Sequence, residues 1–164
     1  MQQRSKLARP LQVERAPRFE APARLFRIQV QPLDAEPGGR VIFLPPDQVA
    51  YLFRASAVRH NLIQPDGAPL PDLGEDCVYV RTVKGMVYRS ARRSLSESEE
   101  ELGHQFFFTH QSILVNQTAV VEFYTRPDYE RVGARVASGI DYLAISRRRL
   151  AEVKRRLLGR GASL

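Results

Sequence analysis

Two short stretches carry side chains whose types and spacing suit recognition of an anion or a purine edge. In Phe106-Phe107-Phe108-Thr109-His110-Gln111-Ser112-Ile113-Leu114-Val115-Asn116, an apolar run breaks into His-Gln-Ser and resumes as a short apolar segment ending in Asn. Further along, Ser146-Arg147-Arg148-Arg149 sets three cations directly behind a residue suited to cap a helix. A histidine and a glutamine in a turn between two strands project together from one edge of a domain, and a glutamine amide pairs with adenine N6 and N7. Three arginines in a first helical turn face the positive end of the helix dipole, at a cost of roughly 0.3–1 kcal/mol each at low salt that a bound anion would remove. Phosphate is the obvious anion. Plainer accounts stay open: a structural histidine, solvated arginines, and Ser112 and Asn116 that only secure the turn through nearby backbone groups.

The elements that must position these residues are mostly strands. From Phe26 the chain alternates, with Phe26, Ile28 and Val30 on one face, until Pro37-Gly38-Gly39 breaks the pattern. Arg40–Leu44 and Asp47–Ala55 follow as strands around Pro45-Pro46, and residues 56–75 read as a long connection rich in proline and glycine. Cys77–Val83 and Met86–Ala91 form a hairpin about Lys84-Gly85. Ser94 and Glu97 fit a capping box, which opens an acidic helix with Leu95 and Leu102 inward. Strands then follow at Phe106–Phe108, Ile113–Asn116, Ala119–Thr125, Glu130–Ala137 and Ile140–Ile145, before a final helix Arg147–Leu158 with Leu150, Val153 and Leu157 at helical spacing. The expected fold is mainly β with minor α: several small antiparallel sheets, one mid-chain helix and a short C-terminal helix.

Charge is unevenly placed. The net charge of +7 divides into six basic and two acidic residues over 1–24, eight basic and twelve acidic over 41–130, and nine basic and two acidic over 131–164. An acidic centre between basic ends is the pattern of a protein that meets a polyanion with its ends. Residues 1–24, punctuated by Pro10, Pro17 and Pro22 and without apolar period, read as a flexible basic arm, leaving residues 25–164 as the folded domain. Cys77 is the sole cysteine, so an intramolecular disulfide and a C-x-x-C metal pair are both excluded. His60, His104 and His110 lack zinc-ligand spacing, and neither a phosphate loop nor a nucleophile elbow occurs. No cofactor, metal or catalysed reaction is expected. With no apolar run of membrane length and no signal peptide at its start, the chain reads as cytoplasmic.

The block Phe106–Asn116 and the later Ile145-Ser146-Arg147-Arg148-Arg149-Leu150 together resemble the two signature blocks of the LytTR family of bacterial DNA-binding domains. There, an F-x-R-x-H-R-S-x-x-V-N block precedes a C-terminal S-R-R block that opens a short helix. The resemblance covers about residues 40 to 158, and Phe108 and Gln111 stand where the family usually has arginine. It implies a sequence-specific double-stranded DNA-binding transcriptional regulator. His110 and Gln111 would enter a groove, and Arg147, Arg148 and Arg149 would contact phosphate and guanine. Asn116 would stand with the turn, and a further loop carrying Arg59 and His60 would reach DNA. The family often recognises direct repeats, so a homodimer on one DNA is the implied stoichiometry. Residues 1–24 are too short for a receiver, so a separate sensor or regulator protein is expected to govern it.

Two rivals stand beside this reading. One is a protein-interaction module that kept the fold and lost DNA binding. The other is an RNA-binding β module, whose stacking platform would need exposed aromatics where Phe106–Phe108 alternate in a core strand. Deleting residues 1–23 is expected to leave cooperative thermal unfolding intact and to weaken DNA binding without changing sequence preference, because a basic arm contacts phosphates. Loss of cooperative unfolding in the truncated protein would place the arm inside the domain instead.

Overall fold

The computed structural model describes residues 27–36, 38–66, 69–125, 130–137 and 139–159. The basic arm expected over 1–24 lies outside them. The strands gather into two antiparallel sheets, so the β-rich expectation holds and the several small sheets resolve into one large and one small.

The larger sheet is built from β1 (Ile28–Pro32), β2 (Ile42–Leu44), β3 (Val49–Arg54), β5 (Val78–Thr82), β6 (Val87–Ser90), β7 (Phe106–His110) and β8 (Ile113–Asn116). Its order is β2-β1-β6-β5-β3-β8-β7, which leaves β7 at one edge. The smaller sheet, β9 (Val120–Thr125), β10 (Glu130–Val136), β11 (Gly139–Ala144) and β4 (Ile63–Pro65), runs β9-β10-β11-β4.

Alternation explains the two-sided core. On one face of the large sheet, Tyr51, Phe53, Phe107, Ile113 and Val115 pack with Val132, Ala134 and Leu143 of the small sheet and with Val153 of helix α3 (Arg147–Leu158). On the other face Ile28, Val30, Leu52, Val80, Phe106, Phe108 and Leu114 bury Leu95 of helix α2 (Leu95–Leu102). Helices α2 and α3 therefore cover opposite faces beside β7. Burial of Phe106, Phe107 and Phe108 on both sides accounts for a run that is apolar without polar alternation.

Local chemistry matches most of the expected boundaries. Ser94 caps α2 by accepting from the Glu97 amide at 3.1 Å, and the Glu97 carboxylate takes the Arg93 amide at 3.4 Å, a displaced version of the reciprocal box. The hairpin between β5 and β6 has a longer connection than Lys84-Gly85 alone. Gly85 adopts φ 93°, and the Thr82 amide pairs with the Met86 carbonyl at 2.9 Å.

The long connection expected over 56–75 contains regular structure. It opens with helix α1 (Ala55–Arg59), and strand β4 pairs with β11 through Ile63↔Leu143. Ala55 and Ala57 are buried, so a helix of five residues is held by packing.

One polar cluster joins the sheets. Asp141 of β11 accepts from Tyr51 Oη at 2.7 Å and from Arg81 Nε at 3.1 Å, while Arg81 also donates to the Gly85 carbonyl at 2.9 Å. All three side chains are buried. Burial, and then the Asp141 carboxylate, hold the Tyr51 phenol well above its usual range, so it remains a donor. Asp141→Ala is expected to lower stability by about 3–5 kcal/mol in urea unfolding, because Arg81 is left buried and uncompensated. Tyr51→Phe, which leaves the ion pair, should cost about 1 kcal/mol. Equal losses for the two would contradict this ranking.

Candidate nucleic-acid interface

Three chain segments meet beside the edge strand β7. Pairing of β7 with β8 is irregular between Phe108 and His110, where Phe108 faces Leu114 and His110 faces Ile113. The extra residue, Thr109, turns its carbonyl outward to accept the Ser146 amide at 2.8 Å. That bond ties the first residue of the α3 entry to the strand that carries His110. On the other side, the Arg54 amide donates to the Ser112 carbonyl at 3.1 Å, and the Ser56 and Ser112 hydroxyls lie 3.3 Å apart. The turn 110–112 is thus gripped between the starts of α1 and α3.

Within the turn, the Ser112 amide donates to His110 Nδ1 at 3.2 Å. This occupies Nδ1 as an acceptor and leaves Nε2–H as a donor. Burial, followed by the charge of Arg149, holds the His110 imidazole below its usual 6.5. Gln111 is exposed at the tip, without a hydrogen bond among the described residues.

The three arginines at the start of α3 diverge. Arg147 and Arg148 are exposed, and their side chains make no ion pair or hydrogen bond among the described residues. Arg149 turns back, its guanidinium carbon 4.7 Å from the centre of the Phe108 ring. Two turns on, Arg156 lies 5.2 Å over Phe107 and bonds Glu152 at 3.1 Å and the His104 carbonyl at 3.0 Å. Ser146 occupies the N-cap position with extended backbone, as expected, yet its side chain caps nothing. The helix start is therefore open, with leading amides unclaimed by any side chain.

Arg59 and His60 sit at the far end of α1, about 6 Å along its axis from the Ser112 contact at 1.5 Å per residue. Both are exposed. Arg59 pairs with Glu75 at 3.3 Å, and the turn behind His60 is fixed by Arg131, which donates to the Asn61 and Leu62 carbonyls at 3.2 and 3.1 Å. Asn116 departs from the expectation. It is fully buried, its amide donates to the Val49 carbonyl at 2.9 Å, and its oxygen accepts from the Thr118 amide at 3.0 Å. With no surface to offer, Asn116 locks the end of β8.

Sequence reading missed Ser56 and Thr109, whose parts depend on nonlocal pairing, and the Phe108 ring as a seat for Arg149. The signal for the last was an aromatic standing where arginine is usual in the resembling block.

The profile of the LytTr DNA-binding domain matches residues 75–158. The chain belongs to that family. A LytTr DNA-binding domain from Bacillus cereus superposes with a TM-score of 0.53 at 19% identity, over 82% of this chain and 97% of the other, which supports the shared fold. A search of curated proteins finds no match. Among the described residues no helix is long and apolar enough to cross a membrane.

The His110 titration midpoint is expected below 6.5 by NMR. The sign follows from linkage: below pH 6.5 the unfolded chain takes up a proton that the folded histidine resists, so stability falls as pH drops through that value toward the folded midpoint. Above it, the neutral imidazole costs nothing. His110→Gln should flatten this part of the pH–stability curve, and an unchanged curve would refute the assignment.

Proposed function

We propose that the chain is a sequence-specific double-stranded DNA-binding module that acts in transcriptional regulation. The observation that carries this reading is the open start of α3, where exposed Arg147 and Arg148 stand beside the exposed Gln111 turn. Cations that destabilise their own helix end, set next to a free amide and an imidazole N–H, suit a ligand that is both anionic and rich in hydrogen-bonding edges. Duplex DNA is such a ligand. Arg147 serves phosphate, Arg148 a guanine edge, Gln111 an adenine edge, and His110 donates through Nε2. Arg59 and His60 extend the footprint to neighbouring phosphates, from a loop held rigid by Arg131.

The short loops and the helix start present these groups, so grooves are entered by loop tips and not by a helix laid along them. Two protomers on direct repeats, governed by a separate sensor or regulator protein, complete the proposal. The module works in the cytoplasm, where its DNA lies. No catalytic step, metal or cofactor is assigned.

Affinity for duplex DNA is expected to fall steeply between 50 and 300 mM salt, since several phosphates would release counterions. Arg148→Ala should cost about 1–3 kcal/mol on the preferred site and much less on random DNA. Gln111→Arg should move the preference at one position away from adenine. Selection from a random duplex library checks both. An identical consensus for wild type and variants would remove these side chains from base readout, and undetectable binding at low salt would favour the protein-interaction reading, for which the exposed acids of α2 offer a surface.

A further inference from the structure

Arg149 differs from the two arginines before it. Its guanidinium lies 4.7 Å from the centre of the Phe108 ring, on the strand that ends at His110, while Arg147 and Arg148 stand free. Phe108 belongs to the core face covered by α2, whereas α3 packs on the opposite face. To reach the ring, Arg149 must pass around the outer edge of β7. The contact uses the charge of the guanidinium and none of its N–H donors, and the Arg149 side chain makes no hydrogen bond among the described residues, its backbone amide alone donating to the Ser146 carbonyl at 3.0 Å. A side chain fixed by a ring while keeping its donor fork unbonded is pre-organised for an external acceptor, since less freedom is lost when the acceptor arrives.

We propose that Phe108 is a positioning residue that holds Arg149 against the sheet edge beside His110, so that the guanidinium fork and His110 Nε2–H act together on one DNA phosphate. This rests on the DNA-binding reading and deepens it. The charged neighbours of that edge are Arg148, Glu152 and Arg156 from α3 and Glu99 from α2, all lining the same shallow cleft. Glu99 and Glu152 repel a phosphate placed deep in this cleft. They disfavour the cleft interior, so the phosphate is placed where Arg149 and His110 meet it together.

The test compares Phe108→Leu, which keeps an apolar filling and removes the ring, with Phe108→Tyr, which keeps the ring, and with Arg149→Gln. A duplex selected by the wild-type protein is the probe, and the His110 titration midpoint is followed by NMR. Phe108→Leu is expected to weaken binding about two- to fivefold, the size of a surface cation–π contact. It should also raise the His110 midpoint as the Arg149 charge moves away, a readout that loss of packing alone would not shift in step with Arg149→Gln. Phe108→Tyr should restore both. In the unaltered protein the Arg149 side-chain protons should show upfield ring-current displacement, which keeps the hold testable should the leucine variant fail to fold.

A folded Phe108→Leu variant with wild-type affinity and midpoint, alongside weakened binding by Arg149→Gln, overturns the positioning role and leaves DNA binding standing. Absence of ring-current displacement overturns it too. If the wild-type protein binds no duplex, the functional reading itself falls, whatever the His110 midpoint shows.

Discussion

The geometry of the candidate interface depends on a buried carboxylate. Asp141 joins Tyr51 and Arg81 of the large sheet to β11 of the small one, and β11 leads within a few residues to Ser146 and the start of α3. An ion pair taken out of water gains little net stability over well-packed apolar groups, but it has one satisfactory arrangement, whereas apolar faces slide. Here that arrangement fixes the register between the sheets. Arg81 adds a bond to the Gly85 carbonyl, so the β5–β6 turn is tied to the same point. A shift of β11 by one residue would turn Asp141 away from Arg81 and carry the arginines of α3 off the edge of β7.

The second constraint is the edge itself. A strand at the rim of a sheet offers unpaired backbone groups, and proteins cover such rims. In this chain β7 is covered by its own C-terminal helix, with the Thr109 carbonyl taken by Ser146 and the rings of Phe107 and Phe108 taken by Arg156 and Arg149. The same bulge that releases the Thr109 carbonyl also brings His110 opposite Ile113 at the strand end. Protection of an edge and presentation of the candidate binding turn are thus two results of one irregularity.

Much of this was legible in the sequence where the signal is local. Ile28 and Val30 alternate and are buried, Ser94 and Glu97 cap α2, and Val153 lies on the apolar stripe of α3. Helix α1 was not legible: Ala55-Ser56-Ala57-Val58-Arg59 is shorter than two turns, and its N-cap is Arg54 with no side-chain cap. Strand β4 ends in Pro65 and forms only against β11, far along the chain. Arg81 and Asp141 carry no local signal of burial, because only the meeting of two sheets buries both. In the site, the exposed residues Gln111, Arg147 and Arg148 followed from turn and cap chemistry. The burial of Asn116 did not, since asparagine after a strand looks the same whether it faces water or the backbone carbonyls of Pro46 and Val49.

The placement of charge gives the fold a direction. Helix α2, with exposed Glu97, Glu100 and Glu101, covers one face of the large sheet, and the arginine-rich α3 covers the other. A polyanion approaching such a molecule feels repulsion on the α2 side and attraction on the α3 side before any contact forms. Net charge alone would draw the protein to DNA in every orientation. On the proposed interface, acidic residues on α2 would restrict the productive encounters to those that bring the start of α3 and the His110 turn forward. The acidic centre would then assist the proposed recognition by orienting the protein, even though it lowers the total positive charge.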